Sequence, residues 1–222
     1  MDPTEVIQEV SEEEGAGSSA DAQEAQREQA AREERFRNFA ALWIAILALL
    51  LAVTSLGGGN VAEDMIATNI HASDTWNFYQ AKNQRQTLYE IARDQLQIQQ
   101  SLAPNMAPAA KQAIAEKLAE YEATIARYED EPDPEAPDDP LKGDGKKQLR
   151  ARAEDWEKQR EKSQDQDPNF DYAEALFQIA VILASVAILA KSRAILTGSL
   201  AVGVLGSVLL MNGFGLYFKL PF

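Results

Sequence analysis

Apolar residues are gathered into three runs along this chain, and polar residues fill the stretches between them. The first run, residues 39–56 (FAALWIAILALLLAVTSL), contains no charged side chain. The second, residues 172–190, has one acid, Glu174, close to its start, and the third, residues 194–218, has none. A helix rises about 1.5 Å per residue and the hydrocarbon core of a bilayer is about 30 Å thick, so roughly 20 apolar residues cross it. Each run therefore predicts a transmembrane helix. Burial inside a soluble core is a poor rival, because no polar layer here is large enough to cover three helices that are apolar all round.

The first run does not read as a cleavable signal peptide. Thirty-eight mostly polar residues with a net negative charge precede it, where a signal peptide would begin with a short basic region. Lys and Arg near the span ends set the expected orientation. Arg27, Arg32, Arg35 and Arg37 come just before the first span, residues 57–76 after it hold no Lys or Arg, and Lys191 and Arg193 occupy the turn between the second and third spans. These place the N-terminus and that turn in the cytoplasm and residues 57–171 outside. Lys158, Arg160 and Lys162, just before the second span, pull the other way.

Small residues recur on the span faces. Ala41, Ala45, Ala48, Ala52 and Ser55 line one side of the first helix, Ser199, Gly203 and Ser207 line the third, and Ala180, Ala184 and Ala187 form a shorter set in the second. Small side chains let helices approach closely in lipid. Two readings follow from the stripes: association between copies, or packing of the three spans on one another. Gln178 and Asn212 are the strongly polar residues inside the spans, and both suit bonds across helices. No ionisable group is placed mid-membrane, which argues against an ion-coupled transporter.

The polar stretches divide further. Residues 1–38 carry eleven acids and four arginines, and composition predicts disorder to about Ala22, followed by a helix running into the first span. Gly57-Gly58-Gly59 predicts a break and hinge, with Asn60 and Glu63 starting a new helix. Leu88, Ile91, Ala92, Leu96, Ile98 and Leu102 mark an apolar stripe on that helix, which ends at a turn over residues 103–108. Ile114, Leu118, Tyr121, Ile125 and Tyr128 follow at alternating steps of four and three, the 3.5-residue period of a helix seam. Together residues 57–128 predict an extracytoplasmic helical hairpin of coiled-coil type. Residues 129–145 (EDEPDPEAPDDPLKGDG) predict an extended, solvated linker. Residues 146–171 predict a charged helix with a thin apolar edge at Leu149, Ala153 and Trp156, then a turn at Asp167-Pro168-Asn169, with Asp171 and Glu174 capping the second span.

Composition narrows the chemistry. The net charge is −14 over 222 residues, so the surface does not suit nucleic acid. There is no cysteine for a disulfide or thiolate site. His71 is the single histidine and has no companion at metal-ligand spacing. The acids of residues 129–145 lack the spacing of a calcium loop, and no nucleophile, phosphate-loop or metalloprotease motif is present. The reading is of a protein that is not an enzyme and needs no cofactor or metal.

The most unusual polar stretch is residues 72–88, ASDTWNFYQAKNQRQTL. Trp76 and Tyr79 share one face of a helix, while Asp74, Phe78 and Lys82 line another at steps of four. Aromatic and long polar side chains close to a span suit the headgroup region, and they equally suit a specific helix–helix interface. Asp74, Trp76, Phe78, Tyr79 and Lys82 are thus a candidate interaction surface.

The strings GGGNVAEDMIATNIHASDTWNFYQAKNQRQTLYEIARDQL and FDYAEALFQIAVILASVAILAKSRAIL, in this order, resemble a bacterial family of small membrane proteins known as domain of unknown function 4337. The resemblance spans most of residues 35–218. It implies a bacterial origin and a membrane location, and brings no activity, ligand or catalytic residue; the expected location is the bacterial inner membrane. The expected fold is all-α: three transmembrane helices with an extracytoplasmic hairpin between the first and second. The expected partners are the lipid bilayer and further copies of the chain or other membrane proteins. The leading function is a self-associating scaffold or interaction protein, and the alternative is a passive pore or an accessory subunit of a transport complex.

Overall fold

The computed structural model describes residues 26–220, and every regular element in it is helical. Helix α1 (Pro3–Leu102) is followed by α2 (Pro108–Glu129), α3 (Lys146–Ala190) and α4 (Arg193–Gly215). The acidic tail up to Ala22, expected to be disordered, lies outside the described residues. Three of the helices, α1, α3 and α4, are long and apolar enough to cross a membrane. At about 1.5 Å per residue, the 23 residues of α4 alone reach roughly 34 Å.

The chain divides into two compact units. Residues 1–58 with 168–222 form the first, and residues 59–167 form the second. The first is a three-helix bundle from the apolar parts of α1, α3 and α4. Its interior is made of Ala40 and Leu47 from α1, Phe170, Ala173, Phe177, Ala180, Ala184 and Ala187 from α3, and Leu196 and Leu210 from α4. The α3–α4 turn is as short as expected. Lys191 takes the left-handed conformation at φ 47°, and the Ser192 hydroxyl accepts from the Ile195 amide at 3.5 Å to cap α4.

Two expected breaks are absent. Helix α1 runs through Gly57-Gly58-Gly59, so there is no new start at Asn60. A glycine costs a helix about 1 kcal/mol relative to alanine, a penalty that a helix continuing for many residues on both sides can absorb. Helix α3 likewise runs through Pro168, so Asp167–Asn169 is not a turn and Asp171 does not cap a fresh helix. Proline removes one hydrogen bond to the carbonyl four residues back. Immediately beyond it Asn169 and Phe170 are 0% and 1% exposed, anchoring α3 in the bundle.

In the second unit the expected seam of α2 is present. Ile114, Leu118, Tyr121, Ile125 and Tyr128 are all half-buried, and no α2 residue is fully buried. The stripe expected on α1 is largely turned outward. Leu88, Ile91, Ile98 and Leu102 are exposed, and only Ala92 and Leu96 are half-buried. The covered positions are instead Lys82, Gln86, Tyr89, Arg93 and Leu96, again at steps of four and three, with polar groups where an apolar seam was expected. On α3 the thin apolar edge is as read: Leu149 and Ala153 are fully buried, and the Trp156 ring stacks on His71 at 4.8 Å between centroids.

Residues 130–145 are not an extended linker. The Asp144 amide donates to the Glu131 carbonyl at 2.9 Å, and Pro132 pairs with Gly143 in an antiparallel bridge, closing the segment into a loop. Within it the carboxylates of Asp133 and Asp139 accept from the amides of Glu135 and Leu141 at 2.9 and 3.0 Å. The amides of Ala136, Asp139 and Lys142 donate to the carbonyls of Asp133, Ala136 and Asp139, each at 3.1 Å. Aspartates that bond the backbone two residues on, with prolines between, build consecutive turns rather than a spacer. Gly143, at φ 106°, makes the return that an L side chain resists.

Candidate functional site

The second unit is organised around Lys82. Its side chain lies on the covered face of α1 and the residue is only 6% exposed. The ammonium donates to the Glu131 carboxylate at 3.0 Å and to the Asp144 carbonyl, the two ends of the loop closure. The Phe78 and Tyr128 rings each sit 5.6 Å from Nζ, a distance at which a ring face attracts a cation. A buried ammonium without partners would be costly, and here two oxygens and two rings replace its water.

One turn further along α1, Gln86 extends the arrangement. Its amide nitrogen donates to the Ile125 carbonyl at 3.3 Å and the Glu129 carboxylate at 3.2 Å, while its oxygen accepts from Lys146 at 2.7 Å. Lys146 also pairs with Glu129 at 3.0 Å. The hydrogen bond from Lys146, then that from Gln86, holds the Glu129 carboxyl below its ordinary range. Asp130 is lowered too, first by Gln148, which donates at 2.6 Å, and then by Lys147. Arg152 closes the set by donating to the carbonyls of Leu141 and Gly143.

The five residues proposed as an interaction surface therefore separate. Lys82 is committed to these internal partners. Trp76 is half-buried, donates to Glu157 at 2.9 Å and meets the Tyr79 ring edge-on at 5.5 Å, and Tyr79 lies under Lys146 at 5.8 Å. Asp74 stays exposed, and Phe78 is 42% exposed although it touches Lys82. The loop acids make intramolecular contacts, and no group of three His, Asp or Glu side chains able to hold a metal ion occurs among the described residues.

In the first unit a polar relay joins α1, α3 and α4. Trp43 Nε1 donates to Ser199 Oγ at 3.1 Å, and Ser199 Oγ donates to the Ala180 carbonyl at 2.7 Å. Ser199 is fully buried, so its proton and a lone pair are both used where water is excluded. Gly203 lies beneath Trp43: a Cβ there would come within 2.7 Å of Cζ2 and 2.9 Å of Leu47 Cδ2. Ala180, Ala184 and Ala187 are fully buried, and Ser207, half-buried, donates to its own helix at the Gly203 carbonyl.

The small residues of the first span behave differently. Ala41, Ala45, Ala48, Ala52 and Ser55 are all exposed, because Ala40, Leu47, Thr54 and Gly57 take the inward face. Of the two strongly polar span residues, Asn212 is 1% exposed. It donates to the Asn169 side chain at 2.7 Å and the Phe218 carbonyl at 2.8 Å, and accepts from the Phe218 amide at 3.0 Å. Gln178 faces outward and donates to Glu174 at 3.2 Å.

Sequence reasoning missed Gln86, Lys146 and Phe170 as organising residues. The signal for the first was the spacing 82, 86, 89, 93 and 96, which repeats the period of the α2 seam in polar letters.

No curated protein and no solved structure matches the chain. The family model described as Domain of unknown function (DUF4337) matches residues 36–216, which takes in the whole of the second unit and nearly all of the three apolar runs of the first. The chain belongs to that family.

Proposed function

We propose that this protein is a non-enzymatic, self-associating membrane scaffold, with the second unit as a rigid interaction module. The observation that carries this is the division among the small-residue stripes. Those of α3 and α4 are used inside the three-helix bundle, whereas Ala41, Ala45, Ala48, Ala52 and Ser55 have no neighbour among the described residues that covers them. In lipid a smooth, small-residue helix face favours close approach of another helix. A second copy supplies the same face by symmetry.

The second unit supports the module role. Its lysines, glutamines and acids bond one another, an arrangement that stiffens a fold. The proposed setting is a bacterial inner membrane, with residues 57–128 an extracytoplasmic helical hairpin and the N-terminus cytoplasmic. The bond from Lys191 to Glu33 at 2.7 Å, which brings the α3–α4 turn beside the arginine-rich approach to the first span, supports the common side assigned to both.

A passive pore, or an accessory subunit of a transport complex, is the second reading. It draws on Gln178, whose amide and neighbouring Glu174 face out of the bundle. Asn212 lends it nothing, since its polar atoms are consumed at the end of α4.

Native mass spectrometry of the full chain from gently solubilised membranes tests the scaffold. A homo-oligomer is expected, and Ala45→Leu with Ala48→Leu should dissociate it while leaving the helix content intact. A monomer in wild type, or an oligomer indifferent to both substitutions, would overturn it. Conductance in planar bilayers then separates a scaffold from a pore.

A further inference from the structure

We propose that the first unit carries a binding site for the phosphate headgroup of an anionic membrane lipid. The proposal needs the spans to cross lipid and stands apart from self-association. A cavity of about 510 Å³ lies between residues 30–37 of α1 and the turn joining α3 to α4. Four basic side chains line it: Arg32, Arg37, Lys191 and Arg193. Arg32 is paired with Glu28 at 3.1 Å and Lys191 with Glu33 at 2.7 Å, but Arg37 and Arg193 have no ion pair among the described residues. Glu33 and Glu34 also line the cavity, so the two unpaired guanidinium groups, rather than the total charge, supply the attraction.

Two further features match a phosphate carried on a lipid. Arg193 is the first residue of the 23-residue helix α4, and Ser192 caps only the Ile195 amide by its side chain. The amides of Arg193 and Ala194 have no acceptor among the described residues, and a helix N-terminus with free N–H groups favours an anion. The cavity floor is apolar. Phe36 and Ile188 line it and pack on the buried cluster of Ala40, Ala184, Ala187 and Leu196.

Depth argues for a lipid rather than a dissolved anion. Arg37 precedes the apolar run by two residues and Arg32 by seven, which places them about 3 and 10 Å beyond it along the helix. The headgroup layer on each side of a bilayer is roughly 5–8 Å thick. A headgroup phosphate at that level meets Arg37 and Arg193, while the first carbons of its acyl chains continue over Phe36 and Ile188. Inorganic phosphate gains nothing from those two side chains.

The test is native mass spectrometry of the full chain in detergent, with dioleoylphosphatidylglycerol or dioleoylphosphatidylcholine added. Phosphatidylglycerol should be retained preferentially. Each basic side chain beside an anionic headgroup contributes roughly fivefold in affinity, so Arg37→Gln with Arg193→Gln should reduce retention about 25-fold. Glu33→Gln releases Lys191 and removes an acid, and should raise retention about fivefold. A misfolded protein does not produce a gain, so Glu33→Gln decides the matter if the double variant loses its helix content. Equal retention of the two lipids, no change in a folded double variant, or no gain in Glu33→Gln would overturn the site. Displacement of phosphatidylglycerol by millimolar inorganic phosphate would make it a general anion site and overturn the lipid assignment.

Discussion

Phe170 rests against the backbone of Gly57: a Cβ built on that glycine would come within 2.6 Å of the ring carbon Cε1. Gly58 and Gly213 border the same side chain, where an added Cβ would come within 3.2 Å of the Phe170 Cβ and 2.9 Å of its ring respectively, and Phe214 meets the ring edge-on at 5.0 Å. A Cβ added to Gly59 would meet nothing beyond its own helix within 4 Å. The three consecutive glycines are therefore not equivalent. Gly59→Ala should stabilise the protein by up to about 1 kcal/mol, since it adds helix propensity in open space. Gly57→Ala should destabilise it, because the ring has to move. Unfolding of both variants in a graded mixture of mild and denaturing detergent checks the opposite signs.

The relay through Ser199 should be measurable. Ser199→Ala removes both the acceptor for Trp43 and the donor to Ala180, and is expected to cost about 1 kcal/mol. With Trp76 and Trp156 replaced by phenylalanine, the emission of Trp43 should shift when the hydroxyl is lost. An unmoved spectrum would mean the indole does not depend on Ser199.

The three helices long and apolar enough to cross a membrane were legible in the sequence, because a nearly uncharged run of about 20 residues has few other uses. The turn near Pro104 and Pro108 and the α2 seam were legible too, through proline and a strict period. The α1 face was misread because hydrophobicity selects Leu88 and Ile91, which stay exposed, and assigns lysine and glutamine to solvent. Lys82 is buried through partners 49 and 62 residues away, Glu131 and Asp144, and no local pattern announces such a pairing. The glycine triplet misled for a related reason. Glycine serves both a bend and a close approach, and the partner that decides between them, Phe170, lies far along the chain. Of the candidate sites, small-residue spacing located the stripes but did not say which one would be left outside the bundle.

Lys82→Met keeps much of the apolar stem and removes the charge. It should cost about 2 kcal/mol, leaving Glu131 with only the more distant Arg127, at 3.9 Å, and the Asp144 carbonyl without the Lys82 donor. Hydrogen exchange should quicken at the Asp144 amide, which bonds the Glu131 carbonyl, more than at the α4 amides. Equal protection in both regions of the variant would show that Lys82 does not hold the loop.

Acid should loosen the second unit at the loop. Glu129 and Asp130 both have folded pKa values below the ordinary 4.5 and 3.8, through hydrogen bonds from Lys146 and Gln86 and from Gln148 and Lys147. A lowered carboxylate stabilises the folded state fully above its unfolded pKa, and that contribution is lost as pH falls through the folded value. Near-ultraviolet circular dichroism should be flat from pH 7 to about 5 and decline below the ordinary carboxylate range. Glu129→Gln with Asp130→Asn should flatten the decline.

A cysteine in place of Lys142, which is exposed on the loop, tests the assigned side of the membrane. It should react with an impermeant thiol reagent on intact spheroplasts. Reaction only after lysis would reverse the orientation.

The closure at Glu131 and Asp144 also decides what the protein tolerates between those residues. The helices on either side are tied by the Lys82, Gln86 and Lys146 bonds below the closure, so the tip around Ala136 and Pro137 hangs from a clasp that is already shut. Exposed loop tips of this kind accept foreign sequence readily. A peptide epitope or a whole fluorescent domain spliced after Ala136 would ride on the outside of the folded unit, offering a handle for imaging and for isolating the native complex, while the same graft at Gly145 would pry the clasp open.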